Sequence, residues 1–316
     1  MDNLIDILPV KYRKYNVTKI ESGASRRFFY RLFYNNHSVI CIDSSKEQEN
    51  YKKFLKVYKY LSKINISTPE IYETNNNYNI IILEDFGKQR FDKILSKYPL
   101  KKLLHYAVDT LLVINKEMTN NINLQKYNFQ IFKSEISELI EYYYPYVFKK
   151  KAEKNIVDEF FHMWKESYKS MDFDFSNFVH KDFNINNLMY LSNRKNHLKC
   201  GVLDFQNAFL GENCWDLFSL LEDSRVMFNN KFNNYFLKYY YKNLNQKCSF
   251  NEFKEKYYFL SSSRQTRLLG RWIKLSIDLN QKWYLKFIPT TKKRLIFGIN
   301  NLNNKNLKSW YNKIIF

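Results

Sequence analysis

The residues most suited to chemistry lie in FVHKDFNINNLMYLSNRKNHLKCGVLDFQNAF, where oxygen-bearing side chains interrupt short apolar segments. Two of those segments, residues 187–191 and 199–203, predict strands joined by the turn SNRKNH. Asp182, Asn187 and Asp204 fall at the ends of this hairpin, so their side chains should converge. Carboxylate and amide oxygens suit Mg²⁺, which takes few protein ligands and keeps several waters. The segment therefore predicts a magnesium site.

The spacing of these residues matches the catalytic segment of kinases. In that template an Asp accepts the proton of the substrate hydroxyl, an Asn five residues later binds one magnesium, and a second Asp binds magnesium that bridges the nucleotide phosphates. HKDFNINN followed by LDFQ meets this pattern. An ordinary loop is the alternative, because Asn and Asp favour turns. The presence of both halves, each beside an apolar strand, favours the kinase-like site.

The elements that must position such a site change in type along the chain. VTKIESGASRRFFYRLFYNNHSVICID predicts a three-stranded meander, followed by a helix capped by Ser44 or Ser45, and PEIYETNNNYNIIILEDFG predicts two more strands. Long helices are predicted afterwards, most clearly at residues 100–117, 131–144 and 155–171. We therefore predict an α+β protein with one lobe at residues 1–86 and a larger, mainly helical lobe at residues 87–316.

Composition and charge limit the classes of partner. The 316 residues are 45% hydrophobic and carry a formal net charge of +20, but no run of five or six basic residues stands out. Compositional drift explains such scattered lysines better than a dedicated polyanion surface, so no specific nucleic-acid partner is predicted. The four cysteines are widely spaced, and the start is a poor signal peptide. We expect a cytoplasmic monomer without a membrane partner.

Several longer stretches point to a family. They are SGASRRFFYRL from residue 22, IILEDFG from residue 81, VHKDFNINNLMYL from residue 179, VLDFQNAFLGENCWDLFSLLEDSR from residue 202 and RQTRLLGRW from residue 264. With these motifs the sequence resembles the aminoglycoside phosphotransferase-like superfamily of small-molecule kinases, and within it the bacterial anomeric kinases of N-acetylmuramate and N-acetylglucosamine. The resemblance implies a protein-kinase-like two-lobed fold that uses ATP and Mg²⁺.

The resemblance also implies roles for single residues. Asp182 would be the catalytic base, and Asn187 and Asp204 would be the magnesium ligands. The backbone of a hinge that includes Glu84 and Phe86 would receive adenine. The turn formed by Ser22, Gly23, Ala24 and Ser25 would lie over the phosphates, where small residues permit close approach; a plain hairpin turn is the alternative. Two further residues, His180 and Asp216, would hold the catalytic loop in place.

The predicted substrate contacts include three arginines. Arg264, Arg267 and Arg271 recur at helical spacing and should share one face. That face is either a solvated basic surface or a site where one guanidinium binds a substrate carboxylate, such as the lactyl group of N-acetylmuramate. Asn184 and Gln206 complete the predicted substrate contacts.

One feature departs from protein kinases: VICID, on the predicted third strand, lacks the lysine that pairs with nucleotide phosphates. Arg26, Arg27 or Lys46 could supply the positive charge. The function implied is ATP-dependent phosphorylation of the anomeric hydroxyl of N-acetylmuramate or N-acetylglucosamine, feeding peptidoglycan precursor recycling. The alternatives are a choline, ethanolamine or aminoglycoside kinase, and a weak pseudokinase that binds a polyanion or a protein.

Overall fold

The computed structural model describes residues 2–21, 26–117, 119, 122–244 and 247–314. The strands are β1 (Asn16–Ile20), β2 (Phe28–Tyr34), β3 (His37–Asp43), β4 (Ile71–Asn75), β5 (Ile80–Glu84), β6 (Asn177–Val179), β7 (Leu188–Tyr190), β8 (Cys200–Val202) and β9 (Phe209–Gly211). The α-helices are α1 (Asp2–Ile7), α2 (Gln48–Lys63), α3 (Phe91–Ile94), α4 (Leu100–Lys116), α5 (Phe129–Glu138), α6 (Tyr144–Phe148), α7 (Lys154–Lys169), α8 (Trp215–Leu221), α9 (Asn230–Asn243), α10 (Phe250–Asp278), α11 (Ile288–Asn300) and α12 (Lys305–Ile314). A π-helical turn, Leu139–Tyr143, continues α5.

Contacts divide the chain into two compact units. The first contains residues 1–123 and 185–208, and the second contains residues 124–184 and 209–316. The first unit thus takes up helix α4 and the hairpin β7–β8 in addition to the predicted N-terminal lobe. The functional boundary at residues 86 and 87 stays a prediction.

The first unit is built on the predicted five-stranded sheet. Its strand order is β1-β2-β3-β5-β4, and every neighbouring pair is antiparallel. The predicted meander is confirmed, and its second turn is formed by Asn35 and Asn36 with φ values of 46° and 62°. This left-handed backbone at both central residues matches the twist of a two-residue hairpin. Strand β5 lies between β3 and β4 and carries a continuous buried run, IIIL, as expected for a strand covered on both faces.

Helix α2 packs five buried side chains in the first unit: Tyr51, Phe54, Val57, Tyr60 and Leu61. Its predicted N-cap is wrong, because the helix begins at Gln48 with Glu47 as the N-cap residue, and Glu47 makes no side-chain cap. The reason is a turn before the helix. The carboxylate of Asp43 accepts a hydrogen bond from the amide of Ser45 at 2.9 Å, and Ser44 O accepts one from the amide of Glu47 at 2.8 Å.

The hairpin β7–β8 is also confirmed, with Leu188 opposite Val202 and Tyr190 opposite Cys200. It is fixed to the rest of the first unit through Ser67. The carbonyl of Ser67 accepts a hydrogen bond from the amide of Val202 at 2.7 Å, and its hydroxyl donates to the carbonyl of Leu198 at 2.7 Å. The ends of the hairpin are therefore held in place.

Where it is described, the second unit consists of helices, their connections and the short strand pair β6–β9. Its longest element, α10, spans 29 residues and starts with a capping box in which Ser249 and Glu252 exchange hydrogen bonds. Gly270 of α10 lies against the end of α5, where an added Cβ would come 2.0 Å from the carbonyl oxygen of Glu138. The helices predicted around residues 131–144 and 155–171 are confirmed as α5 with its π-helical extension and α7. Among the helices described, none is long and apolar enough to cross a membrane.

Candidate active site

The two predicted magnesium ligands lie at one end of the hairpin β7–β8. The amide of Leu203 donates to the carbonyl of Asn187 at 2.9 Å, so Asn187 faces the residue that precedes Asp204. Asp204 has a left-handed backbone with φ of 62°, a conformation that is strained for a residue with a side chain and is frequent at functional sites. Phe205, fully buried, anchors this turn by packing on Phe54 at 4.6 Å between ring centroids.

The oxygen atoms at this end of the hairpin fit a magnesium ion. One carboxylate and one amide are hard donors, and Mg²⁺ completes its octahedron with water and substrate phosphates rather than with a full protein cage. The described residues include no cluster of three or more His, Cys, Asp or Glu side chains that could hold a metal. Asn187 and Asp204 are thus the residues that could hold Mg²⁺.

The Asp204 carboxylate already has two polar neighbours. Its Oδ1 accepts a hydrogen bond from Nη2 of Arg27 at 2.8 Å and another from Nε2 of Gln206 at 2.8 Å. Gln206 was predicted to contact substrate; the structure shows it buried and bonded to Asp204. Arg27 stood among three open alternatives for the missing lysine, and only the structure reveals its ion pair with Asp204.

The predicted hinge follows β5. Arg194, in the turn of the hairpin β7–β8, donates from Nη2 to both carboxylate oxygens of Glu84 at 2.9 and 3.0 Å, and its guanidinium lies 5.0 Å from the ring centroid of Phe86. The backbone amide of Glu84 donates to the carbonyl of Glu70 at 2.8 Å within the sheet. This amide is therefore used by the fold, and the binding of adenine by the hinge stays a prediction.

Asp85 fixes the hinge from its other side. Arg31 donates to both of its carboxylate oxygens at 2.6 and 3.1 Å, and Ser38 and the amide of Gly87 each donate at 2.9 Å. Burial alone would raise the pKa of Asp85, but these donors lower it below the usual range. The carboxylate of Asp85 is thus ionised, and both of its oxygens accept hydrogen bonds.

In the second unit, Asp216 holds the loop that carries Asp182. Its two carboxylate oxygens accept hydrogen bonds from the amides of His180 at 2.7 Å and Lys181 at 3.0 Å. Lys181 has a φ of 83°, so the loop is strained where it is held. His180 is fully buried with its ring edge-on to Phe183. The resemblance implied that Asp216 holds this loop through backbone amides, and these are its two hydrogen bonds. A supporting role for His180 stays a prediction.

Arg264 holds the same loop from helix α10. Its Nη1 donates to the carbonyl of Lys181 at 2.8 Å and to the hydroxyl of Ser219 at 3.0 Å, and its Nη2 donates to Oδ1 of Asp182 at 3.2 Å. The side chain of Arg264 is only 8% exposed, whereas that of Asp182 is 40% exposed. The guanidinium therefore positions the carboxylate and leaves it accessible.

The charge around Asp182 keeps it ionised. Burial of the loop would raise its pKa, but the guanidiniums of Arg264, Arg267 and Arg225 outweigh burial and lower it. An ionised carboxylate can accept a hydrogen bond from a substrate hydroxyl and orient it for transfer.

The other predicted substrate contacts also have partners in the second unit. Arg267 pairs with Glu135 at 3.0 Å, and Arg271 forms an ion pair with Glu138. The face is therefore not a solvated basic surface, because each arginine meets an acidic side chain. Asn184 is buried, and its amide side chain donates to the carbonyl of Asp182 at 3.0 Å.

Arg225 is a residue of this site that the sequence reasoning did not select. Its Nε donates to Oδ1 of Asp223 at 3.0 Å, its side chain is 27% exposed, and its charge contributes to the lowered pKa of Asp182. The only sequence signal was its position at the end of WDLFSLLEDSR. The predicted phosphate turn, Ser22, Gly23, Ala24 and Ser25, lies outside the described residues.

Comparison with known proteins agrees with this geometry. Residues 16–247 match the model of the phosphotransferase enzyme family. The N-acetylmuramate/N-acetylglucosamine kinase of Neisseria meningitidis serogroup B is 25% identical over 229 residues, which is 70% of this chain and 65% of that protein, just under two thirds of its length. The Pseudomonas aeruginosa protein of the same name is 22% identical over 85% of this chain and 79% of its own. The solved GDP complex of aminoglycoside 2'-phosphotransferase-IIIa has a TM-score of 0.65 at 12% identity, covering 95% of this chain and 99% of that one. This likeness confirms the predicted protein-kinase-like α+β fold.

Proposed function

The chain belongs to the phosphotransferase enzyme family, and from this premise we propose that it transfers the γ-phosphate of ATP to the anomeric hydroxyl of N-acetylmuramate or N-acetylglucosamine. Phosphate transfer to a hydroxyl acceptor follows from the family. The choice of an amino sugar is supported by the names of the relatives, and the anomeric position by the resemblance of the sequence motifs. The product, a sugar 1-phosphate, would serve the recycling of peptidoglycan precursors.

The observation that carries the proposal is the held and accessible carboxylate of Asp182. Asp216 and Arg264 fix its loop from two sides, and its lowered pKa keeps it ionised at neutral pH. Phosphoryl transfer requires positioning and electrostatic stabilisation more than covalent participation by the protein. Asp182 would accept a hydrogen bond from the sugar hydroxyl, orient it towards the γ-phosphate and receive its proton.

Asn187 and Asp204 would hold Mg²⁺, which supplies charge neutralisation between the β- and γ-phosphates when it is bound. Gln206 would keep the Asp204 carboxylate in place through its hydrogen bond to Oδ1. The hinge, braced by Arg31 and Arg194, would present backbone groups to adenine.

The charges around Asp182 favour an anionic or neutral acceptor. Three guanidiniums, those of Arg264, Arg267 and Arg225, lower the pKa of this carboxylate. A choline or aminoglycoside acceptor brings its own positive charge and needs an acidic or aromatic cage. Although Arg267 and Arg225 also meet acidic side chains, the lowered pKa of Asp182 indicates a net positive potential at this carboxylate, which would disfavour a cation and favour the lactyl carboxylate of N-acetylmuramate.

The test is a turnover assay with Mg-ATP and five acceptors: N-acetylmuramate, N-acetylglucosamine, glucose, choline and kanamycin. ADP release would be followed for each, and the position of phosphate on the product would be read by ³¹P NMR. We expect a 1-phosphate on at least one amino sugar. Asp182→Asn should lower kcat by about 10²–10⁴-fold, because general-base assistance is lost, while nucleotide affinity changes little.

Other products would change the conclusion in defined ways. Turnover of choline or kanamycin would retain the kinase chemistry and reject the sugar, and phosphate at C6 would reject the anomeric position. Absence of turnover with every acceptor, together with salt-sensitive binding of a polyanion, would favour the pseudokinase.

A further inference from the structure

A kinase-like phosphate site needs a cation beside the nucleotide, and the usual lysine is missing from this sheet. Strand β3 reads HSVICID and offers no lysine. Protein kinases use a lysine of the third strand to pair with the phosphates. Arg26, Arg27 and Lys46 flank β2 and β3 and are the candidates to replace it.

Burial and contacts separate the three candidates. Arg26 is exposed. Lys46 is also exposed, with Nζ 5.3 Å from the ring centroid of Phe28. Arg27 is 5% exposed, and its Nη2 lies 2.8 Å from Oδ1 of Asp204. Of the three, Arg27 is the one whose charge is buried and directed at the proposed magnesium ligand.

The surroundings of Arg27 hold its guanidinium at that carboxylate. Its Cζ lies 5.2 Å from the ring centroid of Phe29, within the range of a cation–π contact. The carboxylate of Asp204 is also restrained by Gln206, which donates a hydrogen bond to the same oxygen. The side chain of Arg27 is 6% exposed and that of Asp204 is 41% exposed, so desolvation of the guanidinium offsets part of the attraction and the pair is weak evidence for a stabilising role. The pair therefore calls for a role other than stability.

We propose that Arg27 is the phosphate-binding cation of this chain, taking the place of the third-strand lysine; this inference rests on the proposed nucleotide-dependent function. A guanidinium presents five N–H donors in a planar fork, so donation to Asp204 is compatible with donation to a phosphate oxygen. A phosphate that reached the Asp204 carboxylate through Mg²⁺ would come within range of the same guanidinium. Arg27 would thus couple the position of Asp204 to that of the nucleotide.

The test measures binding rather than turnover. Isothermal titration calorimetry would give the Kd of ADP and of adenosine, with Mg²⁺ present, for the wild-type protein and for Arg27→Gln, Arg27→Lys, Arg26→Gln and Lys46→Gln. Guanosine and GDP would replace them if the wild-type protein prefers guanine. Adenosine reports the hinge alone, and the ratio of the two Kd values isolates the phosphate contribution.

We expect Arg27→Gln to weaken ADP binding by about 10–100-fold, because a charge-assisted hydrogen bond to phosphate is lost, while adenosine binding changes less than about twofold. Arg27→Lys should recover part of the loss, since it keeps the charge but not the fork. Arg26→Gln and Lys46→Gln should each change ADP binding by less than about threefold.

Unchanged ADP binding in Arg27→Gln, or a larger loss in Arg26→Gln or Lys46→Gln, would overturn the inference. If Arg27→Gln also loses adenosine binding, Arg27→Lys becomes the deciding variant. The proposed role requires that Arg27→Lys weakens ADP binding more than adenosine binding, and equal losses of the two affinities would reject it. A wild-type protein that binds neither nucleotide would refute the proposed function itself, which is a different outcome.

Discussion

Replacing Asp216 by Asn should loosen the catalytic loop without changing the shape of the side chain. The carboxylate is 2% exposed and accepts one hydrogen bond on each oxygen, from the amides of His180 and Lys181. Asn keeps one acceptor and turns the other into a donor, so one buried N–H loses its partner. A hydrogen bond to a charged group is worth about 1.5–3 kcal/mol. If the loop transmits most of that loss to Asp182, kcat/KM measured at pH 8, where the Asp216 carboxyl is mostly ionised, should fall by about 10–100-fold.

The same variant should have a distinct dependence of stability on pH. Burial raises the pKa of Asp216 to about 7, although the amides of His180 and Lys181 act to lower it. An unfolded aspartate titrates near about 4. Between these values the folded protein binds a proton that the unfolded chain lacks, so this group raises the free energy of unfolding as pH falls, by about 1.4 kcal/mol per unit. Asp216→Asn lacks that contribution.

Urea unfolding at pH 5, 6, 7 and 8, followed by tryptophan fluorescence, would measure the effect. The difference in free energy of unfolding between wild type and Asp216→Asn should grow steadily as pH falls from 7 to 5. Asp158→Asn, on the exposed surface of α7, is the matched control and should run parallel to wild type. If the stability of Asp216→Asn varied with pH in parallel with that of wild type, or if kcat/KM were unchanged, the argument that this carboxyl is buried, has a raised pKa and holds the loop would be refuted.

Two further substitutions address packing and specificity. Gly270→Ala should lower the free energy of unfolding by about 1–3 kcal/mol, because its Cβ would overlap the backbone of Glu138. Gly298→Ala is the control, and it should lower the free energy of unfolding by less, because its Cβ would meet a serine hydroxyl that can rotate. Equal losses of stability for the two variants in urea unfolding would contradict this argument. Arg225→Gln should raise KM for N-acetylmuramate by about tenfold or more and KM for N-acetylglucosamine by less than about threefold. The reason is that only N-acetylmuramate carries a carboxylate that the guanidinium beside Asp223 can bind. Equal changes in the two KM values would exclude Arg225 as the residue that binds this carboxylate.

Local patterns predicted the parts of the fold that depend on neighbouring residues. The alternation and turn residues of the first 86 residues predicted the five-stranded sheet, and the apolar segments around SNRKNH predicted the hairpin that carries Asn187 and Asp204. The start of α2 was missed for an equally local reason: Asp43 captures the amide of Ser45, and that turn competes with a serine cap.

The ion pairs of the site join residues that lie far apart in the sequence. Arg264 reaches Asp182 across 82 positions, and Arg27 reaches Asp204 across 177. No periodicity or spacing encodes such a pairing, because it depends on the packing of α10 and on the path of the chain between the two ends of the first unit. The sequence could therefore nominate arginines as a group and could not assign each one to its carboxylate.

The discontinuity of the first unit has a consequence for synthesis on the ribosome. Its last segment begins at residue 185, after the chain has left the unit at residue 123. Ribosomes add about 5–20 residues per second, so roughly 4–17 s separate the emergence of residue 123 from that of Ala208. During that interval Phe86 lacks Gly201 beneath its ring and Glu84 lacks Arg194. Until residues 194 and 201 have been made, the carboxylate of Glu84 and the ring of Phe86 lack these two contacts, so the hinge is complete only after residues 124–184 of the second unit have been synthesised.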